Sequence, residues 1–195
     1  MLTGSKDIPM ASVIPLAEKN QTVNQLCNTE ARWFAVYTRY KREKLVHKEL
    51  QRKGITTYLP LLTLTRYYTR KVKTVHLPLI SCYLFVKITR RQYVPVLETS
   101  DVVQFVRFKR DLIAIPEREI DILRMVCGEQ VPVEVTQEHM GPGDRVEIIG
   151  GRLTGLQGVL RQQSGKKRFI VELDTVGIQL AMEVPNNLLQ KVRKQ

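Results

Sequence analysis

The side chains that could do chemistry are few, and their spacing suits neither catalysis nor metal binding. The cysteines Cys27, Cys82 and Cys127 stand at no metal-ligand spacing, and they form no Cys/His zinc pattern with the three histidines. Glu117 and Glu119 fall in the first turn of a predicted helix, where acids suit the helix dipole. No set pairs a nucleophile with a base. The sequence therefore predicts no catalytic residues, no metal, no cofactor and a protein that is not an enzyme.

Phosphate binding is the chemistry that the charge favours. Lys plus Arg number 31 against 19 Asp plus Glu, a formal net charge of +12 with a pI near 9.8. Residues 31–77 hold 12 Lys/Arg against two acids, a net +10, whereas residues 111–140 hold two against seven, a net −5. A basic flank of this kind favours a polyanionic partner, although a well-solvated surface is the alternative. Charge alone does not separate DNA from RNA, the ribosome or an anionic membrane.

Much of this positive charge belongs to one predicted helix, residues 41–53, which ends at Gly54. At about 100° per residue, Val46 and Leu50 lie on the side that would face a sheet. Four basic side chains form a stripe on the other side, within about 80° of one another: Lys41, Lys44, Lys48 and Arg52. Because the stripe coincides with the basic flank, we favour phosphate contact over a merely solvated face.

The rest of the first half alternates between strands and helices. Aromatic and β-branched runs predict strands, and a proline followed by acids predicts a helix start. The predicted elements are a strand at 33–38, an extended segment at 55–68 bent at Pro60, a hairpin arm at 71–77, strands at 82–88 and 102–108, a short helix at 90–98 and a helix from 116 to about 128. This order predicts an α+β sandwich with helices packed on one sheet.

The chain divides into four segments. Residues 1–30 lack periodicity and predict a mobile tail, residues 31–131 form the first domain, and residues 132–140 predict a linker. Residues 141–195 contain five short strands, which suit a small antiparallel β-barrel. No apolar run reaches membrane-spanning length and no secretory signal is evident, so a cytoplasmic protein without membrane contact is expected.

The strongest local motif is GDRVEIIGGRLTGLQGVL at residues 143–160. A hydrophobic strand leads into a glycine-bearing loop, and a second strand follows at a glycine that allows close backbone approach. The motif does not match a phosphate-binding loop, because no Gly-Lys-Ser/Thr follows at the required spacing. It resembles the KOW motif, with a chance β-hairpin as the alternative. The residues that carry the resemblance are Gly143, Val146, Gly150, Gly151, Gly155 and Gly158.

The first domain resembles the N-terminal (NGN) domain of the NusG family. The resemblance rests on RWFAVYT, the basic helix, PLISCYLFVK and FVRF, and with the KOW motif it covers residues 31–192. Within the family it is similar to specialised antiterminators such as RfaH and the UpxY-type regulators of capsular polysaccharide operons. One departure is Ile80-Ser81-Cys82, where the family has Phe-Pro-Gly or Phe-Pro-Asn. The resemblance implies an antiparallel NGN sheet with flanking helices, followed by an SH3-like KOW barrel.

The resemblance implies that this protein regulates transcription elongation. A monomer would bind the clamp helices of the largest RNA polymerase subunit through Trp33, Tyr37, Ile80, Tyr83 and Phe85, although Trp33 and Phe85 could equally be ordinary core. The non-template DNA strand would lie near Arg39, Lys41, Arg42, Lys44, Lys48 and Arg52. The barrel would be left free on its linker for the ribosome or another factor. The rival function, a ribosome-associated KOW protein that binds RNA, requires the basic charge on the barrel, yet residues 141–195 are only +4.

Overall fold

The computed structural model describes residues 22–68, 71–128, 133–136, 143–163 and 166–192. Within these residues the chain forms a four-stranded, a two-stranded and a six-stranded sheet, and the strand pairs of all three are antiparallel. The α-helices accompany the four-stranded sheet, and the six-stranded sheet comes from the second half of the chain. The predicted α+β class, with its β-rich C-terminal part, is confirmed.

The elements follow the predicted order. The strands of the first half are β1 (Arg32–Thr38), β2 (Thr56–Tyr58), β3 (Leu61–Tyr68), β4 (Lys71–Pro78), β5 (Tyr83–Ile88) and β6 (Val102–Phe105). The helices are α1 (Glu43–Arg52), α2 (Tyr93–Leu97) and α3 (Glu117–Cys127), with 3-10 turns at Arg90–Gln92 and Asn186–Leu188. The second half contains β7 (Val133–Thr136), β8 (Asp144–Ile148), β9 (Gln157–Gln163), β10 (Lys166–Leu173), β11 (Ile178–Met182) and β12 (Leu189–Lys191). In the described parts of the chain, no helix is both long and apolar enough to cross a membrane.

The four-stranded sheet, ordered β2-β5-β1-β6, is covered on both faces at its centre. Side chains alternate between the faces of a strand, so β1 sends Phe34 and Val36 one way and Trp33 and Ala35 the other. The first pair packs with α1, and the second pair belongs to the core cluster that contains α3. This double burial explains why β1 is a nearly continuous apolar run.

Helix α1 buries Val46 and Leu50 completely. The sequence predicted this, because both residues lie on the side of the helix opposite the basic stripe. The chain leaves the helix through Gly54, whose φ of 71° is easily reached only without a side chain. The predicted start at residue 41 is wrong. Lys41 has a φ of 61°, which is left-handed, so the helix begins only at Glu43.

Helix α3 is buried on two sides, because it lies between the first sheet and the C-terminal sheet. Towards the first sheet, the Arg124 guanidinium lies 5.7 Å from the Trp33 ring. Towards the C-terminal sheet, Glu119 accepts hydrogen bonds from Thr175. Ile122, which is 7% exposed, borders a cavity together with residues of the C-terminal sheet. One apolar cluster therefore runs from the first sheet through α3 into the second half of the chain.

The chain before β1 is attached to the first domain over its described part. The backbone N–H of Gln25 donates to the Leu112 carbonyl at 3.0 Å, and the Gln25 side-chain oxygen accepts from the N–H of Ala114 at 2.8 Å. The carbonyl of Cys27 accepts from the N–H of Arg90. The predicted tail of residues 1–30 therefore reaches too far, since these contacts fix residues 23–27; residues 1–21 lie outside the described residues.

The six-stranded sheet, ordered β12-β8-β9-β10-β11-β7, contains the five predicted strands and one more. The additional strand is β7, where the sequence predicted a linker, and it pairs with β11 in the register Val135 to Leu180. β11 is buried at every residue, and its pairing with β7 satisfies backbone N–H and C=O groups that a sheet edge would otherwise leave unpaired. Residues 132 and 137–140 of the predicted linker lie outside the described residues.

Candidate functional site

A pair of tyrosines, Tyr37 exposed and Tyr83 half-buried, marks one end of the first sheet. Tyr37 on β1 and Tyr83 on β5 face each other in register, with ring centroids 5.6 Å apart and planes at 84°. Tyr37 is 39% exposed, although its strand is otherwise mostly buried. Burial raises the pKa of Tyr83, so its hydroxyl stays protonated and can donate a hydrogen bond. Amphipathic rings of this kind are common anchors in protein interfaces.

The other three residues of the predicted polymerase contact lie in the core. Trp33 is 4% exposed, Ile80 4% and Phe85 fully buried. The indole N–H of Trp33 donates to a Glu117 carboxylate oxygen at 2.8 Å, and the Lys87 ammonium lies 5.7 Å from the ring. The structure thus brings Tyr37 and Tyr83 to the surface and places the other three beneath them and beside α3. Sequence alternation cannot show that a strand face is covered, because the covering helix lies far along the chain.

The loops next to the tyrosine pair are held by a buried carboxylate that the sequence did not single out. Glu43, 4% exposed, accepts a hydrogen bond from the N–H of Cys82 at 2.8 Å, and Cys82 has a left-handed φ of 65°. The Cys82 carbonyl in turn accepts from the N–H of Thr38. These bonds fix the turn that presents Tyr83. The one sequence signal was an acid in the first turn of a basic helix, which ordinarily only suits the dipole.

The predicted basic stripe divides into exposed and engaged members. Lys48 is exposed on α1, whereas the Lys44 ammonium donates to the His76 carbonyl on β4 at 2.6 Å. Arg52 is exposed and lies 3.9 Å from Glu49. Lys41 is not on the helix, because it occupies the preceding turn. Three of the four predicted members therefore share the face of α1.

The remaining predicted phosphate contacts surround one aspartate. Arg39 and Arg42, with 75% and 56% of their side chains exposed, lie 3.9 and 3.6 Å from Asp101. The backbone N–H of Arg39 also donates to the Asp101 carbonyl at 2.9 Å. Both guanidiniums are mostly exposed, although the Asp101 side chain that they approach is only 11% exposed, so both can still contact an anion. Asp101 was missed because it is distant in sequence and reaches the site only through the pairing of β1 with β6.

The glycine motif of the C-terminal sheet connects β8 to β9. Gly151 and Gly155 have φ of 79° and 86°, so the loop conformation favours glycine at both positions. A Cβ at Gly158 would lie 2.7 Å from the Phe169 ring, which confirms the close approach of β9 to β10. Of the other motif residues, Gly150 lies in the same loop, Val146 lies on β8 and Gly143 immediately precedes β8.

The C-terminal sheet does not stand apart from the first domain in this structure. Glu119 on α3 accepts hydrogen bonds from the backbone N–H and hydroxyl of Thr175 at 3.2 and 2.8 Å. The Arg152 guanidinium donates to the Gly128 carbonyl at the end of α3. Burial raises the pKa of Glu119, and its second oxygen has no hydrogen-bond partner. This is a correction to the expected free barrel: the sheet rests on α3.

Chemistry beyond binding finds little support among the described residues. They contain no group of three or more His, Cys, Asp or Glu side chains that could hold a metal ion. A cavity of about 470 Å³ lies between α3 and the C-terminal sheet and is lined by Arg118, Glu119, Arg145 and Arg161, among others. It lies on the far side of α3 from the first sheet, so it belongs to the contact between the two halves.

Comparison with known proteins places the tyrosine pair and the basic residues inside one matched region. Residues 31–124 match the family model described as "Transcription termination factor nusG". The chain is similar to a solved structure titled "Domain interaction in Thermotoga maritima NusG", with 19% identity, 84% of this chain and 98% of that chain covered, and a TM-score of 0.49. It is also similar to a chain of the MjSpt4:Spt5 complex (conformation B), with 21% identity, 83% and 97% covered, and a TM-score of 0.29.

Proposed function

We propose that this chain, whose residues 31–124 form a NusG family domain, is a transcription elongation regulator that binds RNA polymerase. The observation that carries the proposal is the Tyr37–Tyr83 pair at the end of the first sheet within the matched residues, in which Tyr37 is exposed and Tyr83 is half-buried. Beside it stand basic side chains suited to nucleic acid. The tyrosine pair offers a contact for protein, and the adjacent basic side chains offer a contact for phosphates. This arrangement suits a factor that binds polymerase and its DNA at the same time.

The proposed polymerase contact has an exposed part and a supporting part. Tyr37 and Tyr83 would insert against the clamp helices of the largest subunit, while Trp33, Ile80 and Phe85 hold the strands beneath them. Such binding would favour processive elongation if it is tighter to the closed clamp than to the open one, because a ligand shifts an equilibrium only by its difference in affinity.

The proposed DNA contact is the exposed non-template strand. Arg39, Arg42 and Lys41 lie on the loop that follows β1, next to Tyr37. Lys48 and Arg52 continue the positive charge along α1, and Lys44 adds charge at the base of the β3–β4 hairpin. Cations that neutralise phosphates release counterions, so this contact would weaken steeply with salt.

The more specific role we propose is operon-specific antitermination of the RfaH/UpxY kind, by a monomer. Its support is the sequence resemblance in RWFAVYT and YLFV together with the KOW glycine motif. The C-terminal sheet would bind a second factor or the ribosome after it leaves α3. Such a release would have to break the hydrogen bonds that join Glu119 to Thr175 and Arg152 to Gly128 and to expose part of the shared apolar cluster.

The test is binding to purified core RNA polymerase. We expect Tyr37→Ala with Tyr83→Ala to weaken binding by about 30-fold, since truncating a buried interface aromatic commonly costs about 2 kcal/mol or more. Leu45→Ala is the control, because Leu45 is 44% exposed on α1 and outside the proposed contact. Reduced pausing by wild type but not by the double variant in a purified transcription assay would support the regulatory role.

Two results would contradict the proposal. The first is unchanged polymerase affinity in the double variant while its circular dichroism spectrum stays native. The second is affinity capture from native cells that recovers ribosomes without polymerase, which would favour the ribosome-associated alternative instead.

A further inference from the structure

Two surface segments of the first domain share one sequence pattern. Residues 39–42 read Arg-Tyr-Lys-Arg and residues 107–110 read Arg-Phe-Lys-Arg. We call them loop A and loop B. Each places one aromatic side chain among three cations, and no acidic residue lies within either loop. Loop A contains part of the proposed phosphate contact, whereas loop B has no part in the proposed function.

The two loops also share one local conformation. Lys41 and Lys109 have φ of 61° and 59°, a left-handed backbone uncommon for residues other than glycine. In each loop the lysine ammonium lies over the aromatic ring of the preceding residue. Lys41 is 5.0 Å from the ring centroid of Tyr40, and Lys109 is 5.6 Å from that of Phe108. The same arrangement is thus built twice from the same residue types.

The aromatic rings are not part of the core. Tyr40 is 67% exposed and Phe108 50%, and neither belongs to the two apolar clusters. Their loops are fixed by backbone bonds instead: the N–H of Arg39 donates to Asp101, and the N–H of Phe108 donates to the Asp111 carbonyl at 3.0 Å. A rigid loop that holds an aromatic ring in water suits a ring whose partner is another molecule.

The fold places both loops along one edge. β6 is the outer strand of the order β2-β5-β1-β6. Loop A contacts Asp101, immediately before β6, and loop B begins two residues after β6 ends. The six residue-to-residue steps from 101 to 107 span at most about 20 Å at roughly 3.3 Å each. An extended polymer lying along this edge could contact both loops.

We propose that loops A and B form one binding surface for single-stranded DNA, in which Tyr40 and Phe108 each stack on a base and the flanking cations contact phosphates. Sequence-tolerant binding of single strands combines aromatic platforms with a basic track, which is the pairing that each loop contains. The bases of a duplex are already stacked on one another, so exposed aromatic rings favour the binding of a single strand. Only the choice of DNA over RNA rests on the proposed function, in which the single strand is the non-template DNA strand.

The test is fluorescence anisotropy of a labelled 20-nucleotide oligo-dT with the full chain, measured over a series of salt concentrations. Tyr40→Ala and Phe108→Ala should each weaken binding about five-fold or more, because one base–aromatic stack contributes that much. Tyr40→Phe and Phe108→Tyr should restore it. Val94→Ala is the matched control, an equally exposed apolar truncation on α2.

The salt dependence separates the rings from the charges. The alanine variants of the rings should leave the slope of log K against log salt unchanged. Lys41→Gln and Lys109→Gln should each flatten it by about 0.7, the value for one phosphate on a single strand. Affinity that is the same in Tyr40→Ala, Phe108→Ala and Val94→Ala would overturn the stacking surface, and tighter binding of oligo-U than oligo-dT would overturn its assignment to DNA.

The outcome is distinguishable from that of the proposed function. Core polymerase binding should be unchanged in the Tyr40→Ala, Phe108→Ala double variant, since neither ring belongs to the Tyr37–Tyr83 contact. Loss of the stacking effect with intact polymerase binding refutes this surface alone. Intact stacking with no polymerase binding by wild type refutes the proposed function alone.

Discussion

Replacing Glu119 by glutamine tests how α3 holds the C-terminal sheet. One oxygen of Glu119 accepts both hydrogen bonds from Thr175, and the other is buried without a partner. Burial raises the pKa of this carboxyl above its ordinary value of 4.5. A group whose pKa is raised on folding stabilises the folded state fully below its ordinary pKa, and this contribution is lost as the pH rises through the raised value. Burial of Glu119 should therefore destabilise the fold least in mild acid, although the two hydrogen bonds from Thr175 by themselves favour the charged carboxylate.

Glutamine removes this dependence, because its side chain does not titrate yet keeps an oxygen for Thr175. The free energy of unfolding of wild type minus that of Glu119→Gln should fall as the pH rises above 4.5. Glu119→Ala, which removes both hydrogen bonds, should cost about 1–3 kcal/mol near pH 4.5, and this cost should fall as the pH rises, as it does for glutamine. Glu117→Gln is the control of opposite sign. The hydrogen bond from Lys87 lowers the Glu117 pKa, so the contribution of Glu117 is present above pH 4.5 and is lost as the pH falls.

The assay is urea unfolding between about pH 3 and pH 8, a range that covers both the raised and the lowered pKa, followed by circular dichroism and by the emission of Trp33, the only tryptophan. Trp33 is buried beside α3 and reports on that side of the first domain. Equal pH dependence in wild type and Glu119→Gln would refute the reasoning, because it would show that Glu119 stays in water and that the C-terminal sheet is not held on α3.

Three further changes have expected outcomes. Gly158→Ala should destabilise the chain by about 1–3 kcal/mol in urea unfolding, because the added Cβ meets the Phe169 ring and the Ile170 carbonyl; an unchanged midpoint would contradict the close approach. A fragment from residue 133 should unfold at higher urea than one from residue 141, since only the first keeps β7 on β11. Phe85→Ala should cost about 3–5 kcal/mol, whereas Tyr37→Ala, an exposed position, should leave the thermal midpoint nearly unchanged while weakening polymerase binding.

The sequence predicted only part of the candidate site. Tyr37 and Tyr83 lie on strands that the sequence predicted, whereas their register comes from the structure, and the exposed face of α1 follows from helical periodicity. Asp101 and Glu43 were not predictable, because each acts through a residue about 40 or 60 positions away in the chain. Loop B was hidden for the same reason, since its relation to loop A depends on the pairing of β1 with β6.

The sequence by itself determined the elements and their order. Aromatic and β-branched runs defined the strands, the helical period defined the faces of α1, and Pro116 followed by acids defined the start of α3. The glycines of residues 143–158 defined the β8–β9 turn, and each of these signals is local. Only the tertiary structure decided which faces are covered. Trp33 and Phe85 became core because α3 lies on their side of the sheet, and residues 133–136 became a strand because β11 offered an edge. Burial depends on what packs against a face, and that partner is distant in sequence.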